Sequence, residues 1–566
     1  MPHKGDKNLN TKVAIIGLDA ATFNLINQYI GEGLLPNMQQ MIANGSSGLL
    51  LSTPNMHSAS SWTSIITGKN PGKHGLFVFS DRSFASNKQV IFTGGDRKCQ
   101  TMYRILTSAG YKVGMMNVPM TYPAEHSAGS FMISGLDAPT LDEKAFSPAS
   151  LREEILAKFP DYAPTPQNLS KVMENNDLDA AIDMWLKLSY THTEAAKYLI
   201  QKYNPDVFMI VYTATDWVQH YFWKYIEPRH PEYVESEAML YKDTIKRFYS
   251  IMDDIIGQLQ ETIGYQANTI IISDHGMGHN TQGSFHIVEW LEQAGFMTLK
   301  ADTAVASASK AQETAQELRQ SVQQVVKNFL PASVRSTIKS MIGEKAAPIA
   351  SKDRFYGRII WEQTRAYSEA GRNVININLK GRNKFGIVEP ADYNQVCDEV
   401  IAKIKEWRDP DSGLPVVKDV KKRSEMYHGP YADLSSDMYV HWNSSVILQR
   451  PTPEIIRKKK FWWNGTHRPQ GIIICDGPQI KHNELEGACV YDIVPTVLHL
   501  AGATVPGDLD GKVLAEALTT SIAAPTIKVD KNDQDTSGGQ VIESSTDLSD
   551  DDESKVAEKL RGLGYL

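Results

Sequence analysis

Cysteine is scarce in this chain: there are four among 566 residues, at Cys99, Cys397, Cys475 and Cys489. Their scattered spacing fits neither a disulfide framework nor a cysteine-type zinc site. Long hydrophobic runs are missing too. No stretch approaches the ~18–20 apolar residues that span a bilayer, so no transmembrane segment is expected. The polar start, MPHKGDKNLNTK, lacks the apolar stretch of a secretory signal. Together these absences point to a cytoplasmic protein. Positive charge is in deficit, with 58 Lys and Arg against 66 Asp and Glu and a net charge of −8. That balance gives no reason to expect nucleic-acid binding. Internal repeats are absent. The hydrophobic fraction of 42% and the charged fraction of 22% are those of an ordinary globular protein.

What the chain does have is a set of short apolar runs that end in metal-type side chains. KVAIIGLDA stops at Asp19. VFMIVYTATDWVQH stops at Asp216, with His220 four residues on. TIIISDHGM stops at Asp274 and His275, and NGTHRP places His467 just before the run GIIIC. Nearly continuous apolar runs of this length read as strands buried on both faces, as in a parallel sheet. Ligand sites in open α/β sheets gather at the carboxyl ends of such strands. Strand-like and helix-like segments alternate along most of the chain, so the expected fold class is α/β with a mostly parallel sheet.

The same pattern divides the chain. Residues 10–300 read as the first part of an α/β core. Within it, a helical cap at about 145–203 opens with Ser147 as N-cap and Pro148 at the first helical position. Residues 301–355 change character and read as a helical insertion, with Leu318, Val322, Val325, Val326 and Leu330 at helical spacing. Residues 356–522 resume the core through NVININLKGR, SDMYVHWN, GIIIC and the helical YDIVPTVLHLAG. Residues 523–552 are polar and acidic, as in a disordered linker. The last residues, 553–566, form a short amphipathic helix able to dock back.

Asp and His without Cys suit Zn²⁺, Mn²⁺ or Fe. Asp216 and His220 at i, i+4 fall on one face of a helix leaving its strand. A lone Asp after a strand is ordinarily a helix cap, and a lone His ordinarily structural. Six such residues at strand ends are not explained by packing. A hydroxyl nucleophile has three candidates, Ser58, Ser60 and Ser61, in HSASSW just ahead of the helical run WTSIIT. A serine there lies near backbone N–H groups that also bind a phosphoryl anion. Each of the three also qualifies as a simple helix cap.

The ordered series GLDA, HSASSWTSIITGKNPGKHG, TDWVQH, SDHGM and GTHRP resembles the alkaline phosphatase superfamily, in its type I phosphodiesterase/nucleotide pyrophosphatase branch. RAYSEAGRNVININLKGR, GIVEP and DIVPTVLHLAGATVPGDLDGKVL are similar to predicted phosphohydrolase/phosphomutase members. The resemblance implies a three-layer α/β/α core with helical caps and a metal-dependent phosphoester hydrolase. It implies two divalent ions, zinc first and manganese as the alternative, with a small-molecule phosphoester as substrate. Asp19, Asp274, His275 and the nucleophile oxygen would hold one ion. Asp216, His220 and His467 would hold the other. The family nucleophile falls on Ser58. Nucleotide pyrophosphatases place an Asn three residues after it as a phosphoryl-oxygen contact, and here that position is Ser61. The sulfatase pattern of Cys or Ser with a following Pro-x-Arg is missing from HSASSW. The phosphate-clamping Arg of the monoesterase branch has no clear counterpart. A phosphomonoesterase or phosphomutase on the same core is the alternative enzyme reading. An inactive metal-binding protein is the alternative outside enzymes, and the loss of one ligand type would favour it; all six are present.

Overall fold

The structure, a computed structural model, describes residues 9–300, 355–448, 463–520 and 548–563. All but the last residue of the expected 301–355 insertion, and most of the 523–552 linker, lie outside the described residues. Up to residue 300 the strands are β1 (Val13–Leu18), β2 (Ser46–Leu51), β3 (Ser80–Arg82), β4 (Gln89–Ile91) and β5 (Val113–Val118). They continue as β6 (Phe131–Ser134), β7 (Phe146–Ser147), β8 (Val207–Tyr212), β9 (Asn268–Ile272) and β10 (Gly276–His279). The later strands are β11 (Ala366–Tyr367), β12 (Val374–Ile377), β13 (Val417–Lys422) and β14 (Met438–Trp442). They end with β15 (Gly465–Arg468), β16 (Gln470–Asp476) and β17 (Asn483–Cys489).

Nine of these strands form one sheet in the order β17-β2-β16-β9-β1-β8-β5-β6-β7. The pairings β9-β1, β1-β8, β8-β5 and β5-β6 are all parallel. The apolar runs read from the sequence supply its centre. Successive side chains of a strand face opposite sides, and both sides are covered here. Ala14, Ile16 and Leu18 enter one core with Phe208, Ile210 and Tyr212. Val13 and Ile15 enter the other with Val207, Met209 and Val211. Helices Leu178–Tyr203, Ala214–Phe222 and Thr244–Ile263 cover the first side. Helices Ser58–Thr67, Met102–Ser108 and Ile493–Ala501 cover the second. The result is the expected α/β/α sandwich.

Three local expectations change. The helix expected to open at Ser147 and Pro148 starts at Leu151, preceded by Ser150. Ser147 is instead paired with Met132 at the sheet edge, so its backbone is extended. GIIIC becomes β16, which runs antiparallel to both β9 and β2. NVININLKGR and SDMYVHWN supply β12 and β14 of a separate sheet, ordered β11-β12-β14-β13. That sheet has its own core, built with Ile287 and Leu291 of one helix and Val396, Val400 and Ile404 of another.

The antiparallel β16 matters for the site. Its amino end lies beside the carboxyl end of β9, with Ile473 opposite Ile272. β2 ends at the same rim, with Leu51 opposite Gln470. The rim therefore collects the segments that follow β1, β2, β8 and β9 and the segment that precedes β16. At the far end of the chain, helix Asp550–Gly562 starts inside the acidic run rather than after it. Ser549 caps it by accepting a 3.2 Å hydrogen bond from Asp552 N. Asp551 and Asp552 of its first turn suit the positive end of the helix dipole.

Candidate active site

Asp19 directly follows β1. Its backbone N–H donates to Tyr212 O at the end of β8. Ala20 then takes φ 60°, a left-handed conformation rare without glycine. Gly17 has to be a glycine, because a Cβ there would lie 2.4 Å from the Trp62 ring. The Trp62 indole in turn donates from Nε1 to Asp19 Oδ2 at 3.0 Å. Asp274 is held in the same way, its Oδ1 accepting from Ala20 N at 3.3 Å. One oxygen of each carboxylate is thus tied down. The others, Asp19 Oδ1 and Asp274 Oδ2, are buried without a hydrogen-bond donor.

Both of those oxygens face His275. Its Nε2 lies 3.2 Å from Asp274 Oδ2 and 3.7 Å from Asp19 Oδ1. Its Nδ1 is 3.2 Å from Gly276 O, a contact that places the ring proton on Nδ1. Nε2 then carries a lone pair, and it converges with the two untied carboxyl oxygens. Ser58 Oγ joins them at 3.2 Å from the same Nε2.

The second group repeats the logic. His220 Nδ1 sits 2.9 Å from Gly465 O, and His467 Nδ1 sits 2.6 Å from Met56 O. Both Nε2 atoms are therefore acceptors, yet they lie 2.9 Å apart. Asp216 Oδ1 is 3.1 Å from one and 3.4 Å from the other. Such an arrangement repels itself unless a cation sits among the donors. Backbone carbonyls that orient an imidazole through its other nitrogen are the usual outer support of a metal ligand. Asp19, Asp274 and His275 form one compact donor group, and Asp216, His275 and His467 form another. His220 belongs with the second group by its distances to Asp216 and His467. The His275 and His467 rings stack at 3.6 Å, so the two groups abut. The donor chemistry fits two divalent ions.

Electrostatics agree with that fit. Burial pushes the Asp19 carboxyl well above its ordinary range, with Asp274 and Asp216 adding to the rise. Burial pushes Asp274 up to about 8. Burial holds His275 well below the usual imidazole value, and lowers His467 as well. Neutral imidazoles offer a cation their lone pairs directly, and the crowded carboxyls would give up their protons to it. Asp19, Ser58, Asp216, Asp274 and His275 are fully buried, and His220 nearly so, whereas the His467 side chain is 14% exposed. His467 therefore marks the open side of the site.

The structure brings all seven sequence-predicted ligand residues to this rim. Ser61 lies one helical turn away, but its hydroxyl bonds to Ser52 Oγ at 3.0 Å and Thr53 Oγ1 at 2.8 Å. Sequence reasoning missed Trp62 and the carbonyls of Met56, Gly276 and Gly465. It also missed Trp463, whose ring stacks on His220 at 4.0 Å. The aromatic residues carried no spacing signal, and a backbone carbonyl has no signature in the sequence.

A mainly parallel sandwich with this donor set at its strand ends is the framework of an alkaline-phosphatase-like phosphoester hydrolase. The family model described as type I phosphodiesterase / nucleotide pyrophosphatase matches residues 13–437, and the chain belongs to that metal-dependent family. Among solved structures, phosphonoacetate hydrolase from Sinorhizobium meliloti 1021 in complex with phosphonoacetate is 13% identical, with a TM-score of 0.50. That match covers 87% of this chain and 96% of the other. Human ectonucleotide pyrophosphatase / phosphodiesterase 5 is 12% identical, with a TM-score of 0.48 and coverage of 90% and 100%. No curated protein matches the chain. Among the described residues, no helix is long and apolar enough to cross a membrane.

Proposed function

We propose that this phosphoester hydrolase is a phosphodiesterase of the nucleotide pyrophosphatase type, working through a phosphoseryl intermediate on Ser58. The observation that carries the reading is the 3.2 Å approach of Ser58 Oγ to His275 Nε2, where buried carboxylate oxygens also converge. Asp19, Asp274, His275 and Ser58 would hold one divalent ion, and Asp216, His220 and His467 the other, zinc first and manganese second. Bound there, the ions supply Lewis acidity, lowering the pKa of the attacking hydroxyl and neutralising charge at the phosphoryl group.

The chain's own residues do the rest. Ser58 opens helix Ser58–Thr67, whose positive end favours the negative charge of a phosphoryl group beside it. The Ser58 Oγ–P bond forms as the bond to the leaving oxygen breaks. Water then cleaves the phosphoserine and restores the hydroxyl. Two displacements at phosphorus give net retention. Ser61 stands where the family carries its phosphoryl-contacting Asn. Its hydroxyl would have to leave Ser52 and Thr53 to serve in that way.

The test is metal analysis of the purified protein, followed by matched mono- and diesters of p-nitrophenol with the metal found. Close to two ions per chain and faster diester hydrolysis are expected. A faster monoester would move the reading to a phosphomonoesterase or mutase. Zero ions in chelator-free protein would overturn the metal assignment.

A further inference from the structure

The C-terminal helix, Asp550–Gly562, is not used by the chemistry above, yet it reaches the nucleophile's surroundings. Val556 and Leu560 are fully buried. They share a small core with Ala59, Leu76, Phe79, Ile91, Met120 and Leu136. Ala59 is the residue after Ser58. Phe79 meets the ring of His57, the residue before Ser58, edge-on at 5.3 Å. His57 also closes the start of the helix, its Nδ1 accepting from Ala59 N at 3.2 Å. Both chain neighbours of Ser58 therefore border one apolar cluster, to which the C-terminal helix contributes Val556 and Leu560 while packing on helix Leu169–Glu174 and β4.

A second set of contacts fixes the helix in place. Lys559 Nζ donates to Ala138 O. The adjacent Asp137 carboxylate gathers backbone N–H groups from Gly94, Met120, Thr121 and Tyr122. Met120 and Leu136, on either side of that knot, belong to the same apolar cluster. Leu563 continues the stripe into the main core. Val556, Leu560 and Leu563 are spaced as one face of a helix. A 13-residue helix is marginal by itself in water, so its formation is coupled to docking.

We propose that the C-terminal helix is a positioning element: Val556 and Leu560, docked behind Ala59 and Phe79, hold the turn that aims Ser58 at His275. This rests on the reading of Ser58 as nucleophile. The helix contributes no ligand and touches no substrate. It acts through the backbone on either side of Ser58, so its loss is felt in turnover before metal content. A displacement of about 1 Å at a reacting atom can cost on the order of 10²-fold in rate.

The experiment uses the full chain carrying Val556→Asp and Leu560→Asp together, with Leu560→Ala as the milder variant. Metal content, kcat and KM are measured on bis(p-nitrophenyl) phosphate. A synthetic peptide of residues 548–566 is then added in trans. The expected result is full metal content, kcat lower by ~10–100-fold at similar KM, and saturable recovery with the peptide. A peptide bearing the same two substitutions should restore nothing. Unchanged kcat in the double variant overturns the proposal. So does a loss of activity that tracks loss of metal, or that the native peptide fails to reverse while Leu560→Ala stays fully active. Ser58→Ala run alongside separates the two readings. If it is active, the nucleophile assignment has failed; if it is inactive beside a fully active double variant, only the helix proposal has.

Discussion

Three serines stand within four residues at the start of one helix, and their surroundings separate them. Ser60 Oγ bonds to Asn55 Oδ1 at 2.7 Å and His57 O at 3.0 Å. Ser61 is tied to Ser52 and Thr53. Ser58 alone of the three meets His275. Ser58→Ala should keep both ions, because carboxylates and imidazoles supply most of the binding, and should lose several orders of magnitude in kcat. Ser61→Ala should cost less than the ~10²–10³ of a lost oxyanion donor. Steady-state kinetics with metal analysis checks both, and mass spectrometry of trapped enzyme should find the phosphoryl group on Ser58. Trp62 offers a second residue-scale test. Its indole fixes Asp19 Oδ2 and leaves Oδ1 for the ion. Trp62→Phe keeps the ring and removes that hydrogen bond. A fall of ~10–100-fold in metal affinity is expected, the usual effect of losing an outer partner. Unchanged affinity by competitive chelation would show that Asp19 needs no such support.

At the scale of elements, ribbon β10-β15 and helix Ala214–Phe222 build the second ligand group. Met277 pairs with His467, and Gly465 lies opposite His279. A Cβ at Gly465 would sit 2.6 Å from Gln219 O, so ribbon and helix touch backbone to backbone. Gly465→Ala should push them apart and move the carbonyl that orients His220. Metal content should fall from about two towards one, with a stability loss of roughly 1–3 kcal/mol from overpacking. Full metal content in a folded Gly465→Ala variant would contradict that geometry. The apolar runs of β1, β8 and β9 were legible as strands because both faces are buried and polar residues are excluded. Their ends announced Asp19, Asp216 and Asp274 for the same reason. The direction of β16 was not legible, since a run buried on both faces reads alike whether parallel or antiparallel. The separate sheet of β11 to β14 was hidden because its short strands, VINI and MYVHW among them, read as more strands of the same core, while β13, VKDVKK, has no apolar run. The choice among the serines depended on Asn55, Ser52 and Thr53, whose approach is set by a loop without periodicity.

At the scale of the whole molecule, the unmetallated site is a store of protons. Burial raises Asp19 and holds Asp274 at about 8. Near pH 7 the metal-free protein keeps protons there that an entering ion must displace. Affinity should therefore climb as pH rises through about 8. Calorimetry in buffers of different ionisation enthalpy should register proton release on binding, and no release would mean the carboxyls are already ionised. Ions at 100 times their Kd contribute about 2.7 kcal/mol per site. Chelation should accordingly lower the Tm, and returning zinc should restore it.

The position of β2 in the sheet has a consequence for how the chain is made. β2 is complete by residue 51, but its neighbours are β16 and β17, which begin at Gln470 and Asn483. During synthesis at ~5–20 residues per second, the first of these partners leaves the ribosome roughly 20–80 seconds later. Through that interval β2 is an unpaired strand able to pair with a neighbouring nascent chain. The serine-bearing turn that follows it waits as well. His467 is delivered only just ahead of β16, so the catalytic rim closes only once that segment has emerged, and a nascent chain that has not reached it should be both inactive and a client for chaperones.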